Sequence, residues 1–124
     1  MRQGGNSPVS GLAGIALLKA GEFAEAEALF GFACRSLPLY SSARRQYAYL
    51  MYKARMQRIG DLSEADRHGI QQEIDRGKVL IEHGSNPSGR AAFFVGKLYG
   101  LLGDKERERE YIGLANEARG EHDG

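Results

Sequence analysis

The sequence predicts an all-α chain of six helices arranged as three antiparallel hairpins. Three observations carry that prediction. Apolar residues recur at three- and four-residue steps, and no segment alternates with the period of two that a half-buried strand needs. Prolines number only 3, which leaves room for long helices. Three look-alike breaks each join two helical stretches through a glycine: Lys19-Ala20-Gly21-Glu22, Ile59-Gly60-Asp61 and Leu102-Gly103-Asp104.

Residues 1–8 are polar and Gly-rich and read as a flexible N-terminus. The first helix is small and apolar from about Val9 to Ala20, and Gly21 stops it. Phe23, Ala26, Phe30 and Ala33 then mark an amphipathic helix whose acids, Glu22, Glu25 and Glu27, favour its first turns, as the helix dipole prefers. Pro38 closes that stretch. Ser41 or Ser42 caps a third helix that runs to about Arg58. Ser63 caps a fourth from about Glu64 to His83, with Gly69 and Gly77 as weak spots. A turn over Gly84–Pro87 and a cap at Ser88 introduce the fifth helix, about Gly89 to Leu102. The sixth spans about Lys105 to Ala118, and residues 119–124 read as a flexible tail.

A length of 124 residues is one ordinary domain, and 42% hydrophobic with 27% charged residues excludes general disorder. No apolar run is long enough to cross a membrane. Val9 to Leu18 begins like a secretory signal, but Lys19 ends the run with no small-x-small cleavage site following, so the expected compartment is the cytoplasm. One cysteine excludes an internal disulfide framework, and 3 scattered histidines argue against a metal site. Cys34 reads as a packed thiol, and His83 as a helix-end residue suited to the dipole. The Lys105–Glu110 run alternates in charge and reads as a solvated face. Phosphate-binding glycine loops, HExxH and G-x-S-x-G motifs are all missing from the sequence, so neither an enzyme nor a cofactor is expected.

Around the first break, Gly14, Gly21, Phe23, Ala26, Phe30, Ala33 and Pro38 match the spacing of a tetratricopeptide repeat position by position. Gly96, Tyr99, Gly103 and Ala115 fit the same template around the third. Over residues 9–118 the chain therefore resembles the tetratricopeptide-repeat family. That resemblance implies three hairpins stacked as a short right-handed α-solenoid that serves as a protein-binding scaffold. The chain also departs from the family. Gly21 to Gly60 is 39 residues and Gly60 to Gly103 is 43, against a family period of about 34. The second hairpin carries about ten extra residues, enough to project its second helix by roughly 15 Å. Glu108 replaces the usual alanine of the last helix, which predicts a loose start to that hairpin. No separate solvating helix follows residue 118.

In this family the first helix of each hairpin lines the concave groove. A rigid alignment on Gly60 would bury Lys53 unpaired, which is expensive. A two-residue shift puts Tyr47, Leu50, Met51 and Ala54 inside instead. Arg45, Tyr49, Tyr52 and Arg55 then face the groove, beside Ile15, Leu18 and Lys19 of the first hairpin and Arg90, Phe93 and Lys97 of the third. The three first helices carry Lys19, Arg44, Arg45, Lys53, Arg55, Arg58, Arg90 and Lys97 but no Asp or Glu. The resulting expectation is a basic groove that binds an acidic or carboxylate-bearing peptide segment of a protein partner, through Lys19, Arg45, Tyr49, Tyr52, Arg55, Arg90, Phe93 and Lys97. The same charges also read as merely solubilising. Two other functions stay open. Arg44, Arg55 and Arg58 lie within about 60° on one helix, and with interleaved tyrosines such a cluster suits nucleic acid. An apolar face of Tyr111, Leu114 and Ala118 would suit a second copy or a neighbouring domain.

Overall fold

Each of the three breaks is a left-handed glycine, with φ of 84° at Gly21, 85° at Gly60 and 85° at Gly103. That conformation carries a steric penalty for any residue with a Cβ, which is why glycine stands at all three. The computed structural model describes residues 7–84 and 89–123, with side chains from residue 12 to 118. Six helices follow in order: α1 (Ser7–Lys19), α2 (Phe23–Arg35), α3 (Ser42–Ile59), α4 (Glu64–Glu82), α5 (Arg90–Leu101) and α6 (Lys105–Asp123). The described residues contain no strand.

Local signals account for most boundaries. Ser41 is the cap of α3 and accepts from the Arg44 N–H. Ser63 and Asp66 form a reciprocal capping box on α4, each side chain accepting from the other's backbone N–H. Asp104 starts α6 by accepting from the Arg107 N–H at 3.1 Å. Other boundaries differ from expectation. Ser7 and Pro8 already belong to α1, while residues 1–6 lie outside the described residues. Ser88 also lies outside them, and the residue at the α5 cap position is Gly89. Helix α6 continues to Asp123 through most of the segment expected as a tail. The extra length of the second hairpin is shared by both its helices, 18 residues in α3 and 19 in α4, against 13 in each of α1 and α2.

Helix α3 sits at the centre of the packing. It touches α2, α4 and α5, whereas α1 packs chiefly on α2 and α6 chiefly on α5. One apolar cluster joins Ala26 and Phe30 of α2 to Ala54 of α3, with Ile15, Leu17, Leu18, Tyr47, Leu50 and Met51 against it. The other joins Ile70 and Ile74 of α4 to Val95, Leu98 and Tyr99 of α5. Within the hairpins, small residues permit the close approach. A Cβ on Gly14 would stand 2.6 Å from the Phe30 ring, and one on Gly96 would stand 3.0 Å from Ile112 and from the Glu108 carbonyl. Both contacts join residues sixteen apart, so the first and third hairpins close in the same way.

Glu108 does not loosen the last hairpin. A Cβ on Gly100 would meet its carboxylate at 2.6 Å, so Gly100 makes the room that the larger side chain needs. Lys97 at 3.8 Å and Lys105 at 3.5 Å balance its charge. The expected apolar face on α6 is also reduced. Tyr111 stacks on Tyr99 with ring centroids 5.6 Å apart, and of the three residues only Leu114 is exposed.

Candidate functional site

The charge sorting seen in the sequence survives in the structure. Helices α1, α3 and α5 contain no acidic residue. The cations nevertheless do not form a free basic surface. Arg44 and Arg45 reach Glu73 of α4, Arg55 reaches Glu27 of α2 and Asp66 of α4, Arg58 reaches Glu27, and Lys97 reaches Glu108 of α6. The odd helices carry the positive ends, and the even helices the negative ends, of bonds that tie neighbouring helices together.

Arg45 is the clearest departure from expectation. Its side chain is 0% exposed, so it is not a groove residue. Its Nη2 donates to the Leu39 carbonyl at 2.6 Å and lies 2.7 Å from Glu73 Oε1 as an ion pair without hydrogen-bond alignment. Burial lowers the guanidinium pKa, and the Glu73 charge opposes that effect. Arg44 beside it donates Nη1 to the Cys34 and Leu37 carbonyls at 3.3 and 3.4 Å. Two adjacent guanidiniums thus donate to carbonyls at and beyond the C-terminal end of α2. The thiol of Cys34 is buried here, and that burial pushes its pKa up.

Arg55 is also engaged. Its Nε donates to Glu27 Oε2 at 2.7 Å, Nη1 donates to Asp66 Oδ1, and the guanidinium lies 5.3 Å over the Tyr52 ring. Arg58 donates Nε to the other oxygen of Glu27, also at 2.7 Å. The arginine cluster that would have suited nucleic acid is therefore tied to carboxylates at Arg44, Arg55 and Arg58. Tyr52 is half-buried against Gly69 of α4, a contact that puts it on the α3–α4 side. Lys19 is exposed at the end of α1, and no contact among the described residues joins it to the other expected site residues.

The structure does bring together Tyr49, Arg90, Phe93 and Lys97, along the seam of α3 and α5. Phe93 and Phe94 meet edge to face at 5.0 Å, and Phe94 lies 6.2 Å from Tyr49. The ammonium groups of Lys53 and Lys97 each stand 5.7 Å from the Tyr49 ring centre. Arg90 donates Nη2 to Gln46 Oε1. Burial raises the Tyr49 hydroxyl pKa, and Lys97 opposes that rise. Phe94, Lys53 and Gln46 were absent from the sequence-based set. Phe94 was hidden by adjacency, since two neighbouring phenylalanines on a helix point about 100° apart and usually divide between core and surface. The seam is half-buried aromatic surface flanked by three cations, with Glu108 as the one acid in contact among the described residues.

No helix among the described residues is long and apolar enough to cross a membrane. Comparison with protein-family models, with curated proteins and with solved structures finds no match to this chain.

Proposed function

We propose that the chain is a tetratricopeptide-like interaction scaffold, three stacked hairpins in a right-handed array, whose α3–α5 seam binds an acidic segment of a partner protein. Two kinds of observation support the stacked-hairpin reading. The turn glycines share one conformation, and Gly14–Phe30 and Gly96–Ile112 close their hairpins at the same spacing. The binding reading rests on one observation: Tyr49, Phe93 and Phe94 remain half-buried between Lys53, Lys97 and Arg90. Side chains of the bound segment would pack on the rings, and its carboxylates would meet the cations at the rim. Affinity is expected near micromolar, about −8 kcal/mol, and to fall with salt, since exposed charges are screened over about 10 Å at 0.1 M.

Capture from lysate followed by titration of the captured protein tests this reading. The Lys53→Glu/Arg90→Glu variant should weaken binding mainly through the on-rate, and Phe93→Ala mainly through the off-rate. A partner that binds both variants as it binds the native chain removes the seam from consideration. A nucleic-acid ligand would show itself by a salt slope proportional to the phosphates neutralised.

A further inference from the structure

A second site lies away from the seam, in the trough between α2 and α3, and no α5 residue lines it. Ala24, Ala28 and Gly31 occupy one face of α2 at helical spacing. Met51, Arg55 and Arg58 stand opposite on α3 at the same spacing. Short side chains facing long ones leave an open pocket of about 380 Å³. Its charged lining is Arg35, Arg55, Arg58 and Glu27.

Glu27 organises this pocket. Its two oxygens take the Nε groups of Arg55 and Arg58, each at 2.7 Å, which holds both guanidiniums in place. Both Nη groups of Arg58, and Nη2 of Arg55, then keep no protein partner among the described residues. Arg35 brings a third guanidinium. Its Nη1 lies 3.1 Å from where a Cβ on Gly31 would stand, so the side chain folds back over the glycine floor. No hydrogen bond or ion pair among the described residues occupies Arg35. The lining therefore holds three cations and one carboxylate, with Asp66 of α4 drawing on Arg55 from outside the pocket, and its donors come from two helices.

We propose that this pocket binds a phosphate monoester. A carboxylate is planar and is satisfied by the parallel donors of one guanidinium. A phosphate monoester offers three acceptor oxygens in a tetrahedral array and carries negative charge at neutral pH, which matches the free donors of three separate guanidiniums and the positive charge left once Glu27 and Asp66 are counted. Its carbon body would lie on Ala24, Ala28 and Met51.

Phenyl phosphate is the probe, titrated into the full chain at low salt and followed by backbone amide chemical shifts. Saturable shifts confined to Ala24–Arg35 and Met51–Arg58 are expected, with benzoate at least about tenfold weaker, the loss of one or more charge-assisted hydrogen bonds. Arg35→Gln and Arg58→Gln should each weaken binding by about tenfold on the same grounds. Ala28→Leu fills the trough without touching a charge and should abolish binding, while Lys97→Gln on the seam should leave it unchanged. A short phosphoserine peptide run alongside assigns the source: tighter binding than phenyl phosphate marks a phosphorylated protein, weaker binding a small molecule. Equal affinity for benzoate, unchanged affinity in Ala28→Leu, or shifts that do not saturate would overturn the proposal.

Discussion

A guanidinium with no exposed surface needs its charge balanced inside the fold, and Arg45 finds that balance in Glu73 on the next helix. The arrangement is incomplete, because Arg45 Nε and Nη1 and Arg44 Nε are buried without hydrogen-bond partners. A buried pair of this kind is costly to break and cheap to replace. Glu73→Ala should therefore lose about 3–5 kcal/mol, since it strands a buried cation. Arg45→Met combined with Glu73→Leu should lose much less, and urea melts of the single and double variants will show the difference. Sequence reasoning placed Arg45 on the surface because its partner is distant in the chain and nothing local marks a buried arginine. Phe30 was legible for the opposite reason, since its spacing from Gly14 and Ala26 repeats a known packing pattern. It is fully buried against Gly14 and Ala54, and Phe30→Ala should cost about 3–5 kcal/mol, measured the same way.

Between elements, Arg55 clasps three helices by holding Glu27 of α2 and Asp66 of α4 from its place on α3. Asp66 carries two duties, because its other oxygen accepts the Ser63 N–H that opens α4. Burial raises the pKa of both carboxyls, but hydrogen bonds outweigh it, from Arg58 and Arg55 at Glu27 and from Ser63 and Arg55 at Asp66. Both carboxyls are thereby held below their ordinary values of 4.5 and 3.8. A carboxyl with a lowered pKa in the folded state adds stability above its unfolded value, and that stability disappears as the pH falls through the folded value. Unfolding free energy should thus be flat in these groups near neutrality and decline from about pH 4.5 downward, with a shallower decline in Glu27→Gln. Capping by Ser63 could be read locally, as could the glycine turns, because both depend on a few adjacent residues. The clasp could not: a charge-sorted sequence does not say whether its cations face solvent or the acids of the next helix.

Across the whole molecule, the contacts run mainly between chain neighbours, with α3 and α5 as the one pair of non-consecutive helices in substantial contact. Stability in such an array is close to a sum of local terms, so helices with one neighbour open more readily than helices with several. Helix α3 is held by three neighbours and α5 by α3, α4 and α6, whereas α1 relies on α2 and α6 on α5. The largest fully buried side chains among the described residues agree, for Arg45, Ile70, Ile74, Val95 and Leu98 belong to α3, α4 or α5, Phe30 belongs to α2, and none belongs to α1 or α6. Amide hydrogen exchange should therefore rank the helices: slowest in α3 and α5, close to global unfolding, and fastest in α1 and α6. Glu73→Ala should speed exchange in α3, α4 and α5 while leaving α6 nearly as it was, because α6 already opens below the global limit. Uniform protection across all six helices would mean a single cooperative unit. In that case the Glu73 substitution would speed every helix alike, and the nearest-neighbour description would not apply to this chain.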